Sequence, residues 1–156
     1  MAIAHLTSVL DEAGARYELL AHGHAETAVA EAEALGVSPA EVAKTLIVKM
    51  PEGHLRAVVP ASERLDLGKL ADLYGHKRKE LQLASEDELR VAYPEFELGA
   101  VPPLGGAHRD PVVVDSRLAE RESVVLEAGS HEESIRLTAA DVLRLTEARV
   151  ADICQD

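Results

Sequence analysis

Three short stretches of this sequence combine unusual backbone demands with groups that do chemistry. They are Lys44 at the head of the apolar run Lys44–Met50, the loop Gly99-Ala100-Val101-Pro102-Pro103-Leu104-Gly105, and Gly129-Ser130-His131 just past an apolar run that ends at Glu127. A lysine at a strand start snorkels to solvent by default, but a firmly anchored strand end can also aim one ammonium group at an anion. Prolines lock φ and glycines reach dihedrals closed to other residues, so the loop can hold backbone N–H groups rigidly toward a developing oxyanion. Read by itself, the same loop is equally a stiff surface turn. His131 is a candidate general base or hydrogen-bonding group, with a turn residue as the plain alternative. Asp115 at a strand end either orders a site hydrogen bond or caps the following turn, and His22 is either a pocket residue or a core residue.

Other chemistries find less support. Seven histidines invite a metal site built from His22-x-His24 with His54, His76 or His108, yet no HExxH or related spacing occurs. The single cysteine, Cys154, can complete neither an internal disulfide nor a thiolate cluster. There is no Gly-x-Ser-x-Gly nucleophile elbow. No metal or other cofactor is therefore expected. A formal charge of −12 argues against a general nucleic-acid coat, because phosphate binding rests on clustered cations that release counterions. Any RNA contact must be local, and the one basic cluster, His76-Lys77-Arg78-Lys79, is either such a contact or a solvated loop. Glu31, Glu33 and Glu41 fall on expected helices, where a solvated face is the default.

The elements that must position these residues follow from capping and periodicity. Leu6, Val9 and Leu10 share a helical face over about 4–13, closed by Gly14, and a strand follows at 16–21. A helix is expected from Thr27 to Leu35, ending at Gly36, and a second short one from Ser38-Pro39-Ala40-Glu41. Lys44–Met50 and Leu55–Pro60 flank a Pro-Glu-Gly-His turn and read as a hairpin of central strands. Further helices are expected at 66–73 and 85–93, the second opened by the Ser85/Glu88 capping box and stopped by Pro94. The Gly- and Pro-rich stretch 97–109 is a shaped loop. Strands at 111–115, 123–127 and 134–137 precede a helix capped by Thr138 and running from Ala139 to about Thr146. The 156 residues suit one domain with one core, residues 1–156. Neighbouring strands with singly inserted short helices imply an α+β fold, a mixed sheet curled into a barrel-like form and flanked by helices. No basic N-terminal region or membrane-length apolar run is seen, so a cytoplasmic protein without membrane contact is expected.

Taken together, Ala43-Lys44-Thr45-Leu46 after a helix, the Gly99…Pro102-Pro103…Gly105 loop, Pro111–Asp115 and Gly129-Ser130-His131…Ile135 resemble the successive landmarks of the YbaK/prolyl-tRNA-editing family. The order and spacing extend from His22 and Thr27 to the C-terminal helix. The resemblance implies hydrolysis of the ester joining a wrong amino acid to the 3′ end of tRNA, with the domain acting in trans. It implies that Lys44 faces the terminal adenosine and that Gly99 to Pro103 form the catalytic loop, and it makes Lys44, Gly99 and His131 the catalytic candidates. His22, Thr27, Ala100, Val101, Pro102, Pro103, Gly105, Asp115, Gly129 and Ser130 become substrate-binding candidates. An aminoacyl ester is already activated, so a positioned water, N–H donors and a grip on the adenosine suffice, without a Ser or Cys nucleophile. The base is then either the substrate's ribose 2′-hydroxyl or His131. Expected partners are the acceptor end of aminoacyl-tRNA and a tRNA synthetase or elongation factor. The alternatives are a non-catalytic module that binds the same acceptor end or a synthetase, and a partner-binding domain with no RNA ligand.

Overall fold

The computed structural model describes residues 2–156. Helix α1 (Ala2–Glu12) leads into β1 (Tyr17–Ala21), and α2 (Ala28–Leu35) follows with Thr27 as its N-cap and Gly36 in the left-handed conformation at its C-cap. The Ser38-Pro39-Ala40-Glu41 signal gives only a three-residue 3-10 turn, Pro39–Glu41, because the apolar run begins at once and pulls the chain into strand β2 (Val42–Met50). With β3 (Gly53–Pro60), β2 forms the expected hairpin, in register from Ala43 opposite Pro60 to Met50 opposite Gly53. Helix α3 (Leu67–Leu73) is capped by Asp66, and α4 (Glu86–Ala92) by the reciprocal Ser85/Glu88 box. The remaining elements are β4 (Gln82–Leu83), β5 (Val112–Asp115), α5 (Ser116–Ala119), β6 (Ser123–Ser130), β7 (Glu133–Thr138), α6 (Ala139–Thr146) and β8 (Arg149–Ala151).

Eight strands form one mixed sheet in the order β1-β7-β6-β2-β3-β5-β8, with β4 on the side of β2. The pairs β2–β6, β3–β5 and β5–β8 are parallel, and the other pairs are antiparallel. Among the described residues no ladder joins β1 to β8, so hydrogen bonding leaves the sheet open. Alternation along the strands feeds two main cores, as the period of two requires. On one face α1 and α6 place Leu6, Leu10, Ala139 and Val142 against Val58, Val114, Leu126 and Ile135. On the other, α3 sets Leu70 and Ala71 against Val48, Leu55, Ala57, Val59 and Ile153. A smaller cluster seats α2 on Val42 and Val125 through Ala28 and Ala32. These aliphatic contacts fix the ends of β2 and β6, from which the candidate site is built.

Candidate active site at the open edge of strand β2

On its side away from β3, β2 pairs with β6 only at Val42 and Ala43, and with β4 only at Val48 and Lys49. Ala84 N–H adds one bond to the Ile47 carbonyl, 2.9 Å. Residues 44–46 consequently have no strand opposite them on that side among the described residues, and a cavity of about 270 Å³ opens there. Thr27, Lys44, Thr45, Gly99, Val101 and Glu127 line it, with an apolar wall that includes Leu46, Ile47 and Leu89. Residues from five separate parts of the chain thus meet at a gap in the sheet. Lys44 is half-buried, and burial lowers its ammonium from the ordinary lysine value. No carboxylate pairs with it among the described residues.

The glycine-proline loop divides its residues between two sides. Gly99, at φ 81, and Val101 face the small cavity, while Pro103 and Gly105 line a larger cavity of about 680 Å³ on the other side. Ala100 is fully buried, and its N–H closes a turn onto the Glu97 carbonyl at 3.0 Å, so it is not free to meet a ligand. Pro102 is buried as well, its carbonyl accepting from Arg56 Nη1 at 2.9 Å. Arg56, which sequence reasoning passed over as a strand residue, is the anchor of this loop. Its guanidinium also donates to the Gly105 and His108 carbonyls at 2.9 and 3.1 Å and to Asp110 at 3.0 Å. A buried guanidinium satisfied by three backbone carbonyls and a carboxylate is costly to disturb, since removing one partner of such a set typically costs about 3–5 kcal/mol. The buried guanidinium on the larger cavity is therefore already committed to structure.

The turn between β6 and β7 clamps the rim. Gly129, at φ 92, makes the bulge that shifts the β6–β7 register between Glu127 and Ser130, so the strand expected to stop at Glu127 continues to Ser130. The Gly129 carbonyl accepts from Glu97 N–H, and His131 N–H donates to the Glu97 carboxylate. Ser130 Oγ accepts from Glu132 N–H within the turn. His131 Nε2 lies 2.7 Å from the Leu98 carbonyl, which can only accept, so this nitrogen carries the proton. The imidazole thereby fixes the residue before Gly99, and its ring lies beside the cavity wall, not on it. On the other side the His131 carbonyl accepts from Ala25 N–H, and His22 Nε2 lies 2.9 Å from Ser134 Oγ. His22 reaches the buried interior through Ser134 and does not line the cavity. Asp115 is buried away from the cavity, where it caps α5 and accepts from the N–H groups of Arg117 and Ile153 and from the Arg117 guanidinium. The structure therefore brings Lys44, Thr27, Gly99 and Val101 together, places His131, Gly129 and Ser130 in the supporting turn, and leaves Asp115, Pro103 and Gly105 outside.

Two carboxylates correct the sequence reading. Glu31, expected on a solvated face, is 1% exposed and accepts a short hydrogen bond from Ser134 Oγ. Glu127, read only as a strand end, is 8% exposed and lines the cavity. Burial raises Glu31 to about 7, opposed by its bond to Ser134 and by His131, and raises Glu127 to about 9, reinforced by Glu31 and Glu97. The histidines raised as metal ligands are dispersed: His76 contacts Glu52 at 2.7 Å, His54 and His108 lie against Tyr93, and His22 turns toward Ser134.

Residues 22–145, which include strands β2 to β7 and the lining of this cavity, match the aminoacyl-tRNA editing domain, and the chain belongs to that family of aminoacyl-tRNA deacylases. Among its relatives is the proposed Cys-tRNA(Pro)/Cys-tRNA(Cys) deacylase EbsC of Enterococcus faecalis, 29% identical over 123 residues that cover 78% of this chain and 73% of EbsC. YwhH of Bacillus subtilis is 29% identical over 127 residues, covering 80% of this chain and 78% of YwhH. A solved structure of a proposed trans-editing enzyme for prolyl tRNA synthetase superposes with a TM-score of 0.88 at 27% identity, covering 99% of this chain and 98% of that one. Among the described residues no helix is long and apolar enough to cross a membrane.

Proposed function

We propose that this protein hydrolyses mischarged aminoacyl-tRNA in trans, with the acceptor end entering the cavity at the open edge of β2. The supporting observation is the meeting of an unpaired, half-buried Lys44 with Gly99 around one small cavity. In this reading Lys44 binds a phosphate oxygen of the terminal adenosine, and the backbone N–H groups of Gly99 and Val101 face the ester carbonyl. Water oxygen adds to the carbonyl carbon, the resulting oxyanion is held by those N–H groups, and collapse breaks the bond to the ribose 3′-oxygen, which takes up a proton. The ribose 2′-hydroxyl takes the water proton as it passes its own to the departing 3′-oxygen, while His131 Nε2–H holds the Leu98 carbonyl. The likeness to EbsC and to the trans-editing structure favours tRNA(Pro) carrying a small amino acid, cysteine first. A synthetase or elongation factor delivers the substrate in the cytoplasm.

The test is a deacylation panel of Cys-, Ala-, Ser- and Thr-tRNA(Pro) beside correctly charged Pro-tRNA(Pro). Accelerated loss of at least one mischarged species with Pro-tRNA(Pro) spared is the expected result. Rates equal to buffer across the panel, with binding retained, would return the protein to the class of non-catalytic acceptor-end modules.

A further inference from the structure

Lys44 and Glu127 line the same cavity, yet they form no ion pair, and among the described residues neither carboxyl oxygen of Glu127 has a hydrogen-bond partner. Three buried polar atoms in this region lack partners: Glu127 Oε2, Glu31 Oε1 and His131 Nδ1. Native folds rarely leave such atoms unsatisfied, and a group of them beside a cavity calls for a partner, an ordered water or a polar ligand group. His131 Nδ1 is 4.0 Å from Glu127 Oε2, and Cε1 of the same ring would lie 3.7 Å from a Cβ added at Gly99. The Glu127 carboxyl and the Gly99 backbone therefore flank one imidazole edge. The cavity carries a cation at Lys44 and an acid at Glu127, and an aminoacyl-adenosine end presents the complementary pair, a phosphate anion and an α-ammonium two bonds from the ester carbonyl carbon.

We propose that Glu127, backed by Glu31 and His131, receives the α-ammonium group of the aminoacyl ester, an assignment that rests on the deacylase reading above. With the ester carbonyl against Gly99, Glu127 lies across the same imidazole edge, within reach of an α-nitrogen turned toward it. The raised proton affinity of the Glu127 carboxyl accords with this role. A carboxyl at about 9 is protonated at neutral pH and costs less to leave unpaired, and an arriving ammonium restores the conditions under which it ionises. Glu31 cannot take the role, because it does not line the cavity and its other oxygen is held by Ser134. The recognised feature is common to all amino acids, so Glu127 sets the demand for an aminoacyl group and leaves side-chain choice to the apolar wall.

The experiment compares alanyl- and cysteinyl-tRNA(Pro) with their α-hydroxy esters, made by deamination, in which a hydroxyl replaces the ammonium at nearly the same volume. Each rate is expressed as acceleration over buffer, so the different intrinsic reactivities of the two esters cancel. Wild type is expected to accelerate the amino esters roughly 10- to 100-fold more than the hydroxy esters, the scale of one charge-assisted contact. Glu127→Gln is expected to lose about that factor on the amino esters and less than about threefold on the hydroxy esters. Equal acceleration of both classes by wild type overturns the assignment whether or not the variant folds. So does an equal loss on both classes in Glu127→Gln, which marks a structural residue, or a loss confined to the cysteinyl side chain. No acceleration of any amino ester by wild type would instead remove the deacylase reading itself.

Discussion

Lys44 owes its position to the residues after it. Ile47 and Val48 are buried in different cores, so the head of β2 cannot pivot, and the ammonium is placed at the cavity with part of its hydration removed. A charge-assisted bond from it to phosphate is worth about 1.5–3 kcal/mol, roughly 10- to 100-fold in kcat/KM. Lys44→Ala is expected to lose that factor while its circular dichroism and melting curve match wild type. Lys44→Arg, forked and bulkier, recovers only part of it. Deacylation near the wild-type rate in the alanine variant would remove Lys44 from the site. The buried carboxyls make a different prediction, for stability. Glu31 and Glu127 hold protons more tightly when folded than the ordinary carboxyl value near 4.5, so between about pH 5 and 9 the native state binds more protons than the unfolded chain. The stability they contribute is present in full at low pH and is lost as pH rises through about 7 and then 9. Glu88, held at about 2 by Lys49 and by Ser85, is ionised in both states across that window and adds no slope. Urea midpoints of wild type should fall from pH 5 to pH 9 more steeply than those of Glu127→Gln. Parallel slopes would show that Glu127 titrates normally.

At the scale of elements, the loop from Glu97 to Gly106 acts through backbone shape. Arg56 holds it from beneath and His131 from the side, and Gly99 supplies a positive φ between them. A Cβ at Gly99 meets only His131 at an ordinary contact distance, so Gly99→Ala fails through dihedral strain of about 1–2 kcal/mol and not through a clash. Gly36, at φ 69 with open space around it, carries the same strain at the C-cap of α2. Gly99→Ala and Gly36→Ala should therefore destabilise the fold similarly, while only Gly99→Ala lowers turnover per folded molecule, by about tenfold. Equal activity in both would reduce the loop to a structural turn. Local chemistry made much of this legible in the sequence. Ser85 with Glu88 and Thr138 each fixed a helix start to the residue, the helices expected from Thr27 and Asp66 begin one residue later with those side chains as their caps, and the apolar runs around Pro51–His54 declared the central hairpin. The three short pieces β4, α5 and β8 show no period to read, and the parallel pairings join strands far apart in the chain. Glu31 escaped because alternating Ala and Glu in α2 leave no apolar stripe to say which glutamate turns inward. Glu127 escaped because an acid closing an apolar strand reads as its boundary, and only the Gly129 bulge, which carries β6 onward, keeps it inside.

For the whole molecule, charge governs how tRNA is met. Several cations of this −12 chain are spent on its own acids: Lys49 on Glu88, Arg56 on Asp110, Lys69 on Asp152 and Asp156, Arg117 on Asp115, and Arg144 on Asp141. Lys77, Arg78 and Lys79 remain exposed beside His76, whose ring is held by Glu52, and they form the densest patch available to a phosphate backbone. If recognition uses that patch and Lys44 alone, about three or four counterions are released on binding. The slope of log K against log salt should then be roughly −2 to −4, at about 0.7–0.9 per contact. Elsewhere the acidic surface repels the backbone, and recognition in the proposed reading is accordingly limited to the acceptor end. Replacing Lys77, Arg78 and Lys79 together by Glu should raise KM severalfold at low salt, flatten the slope by roughly 2, and leave kcat unchanged, since none of the three lines the cavity. Unchanged KM and slope in that variant would mean that the patch is a solvated loop and that the RNA lies elsewhere. Tight binding of uncharged tRNA with a slope steeper than roughly −6 would contradict recognition confined to the acceptor end.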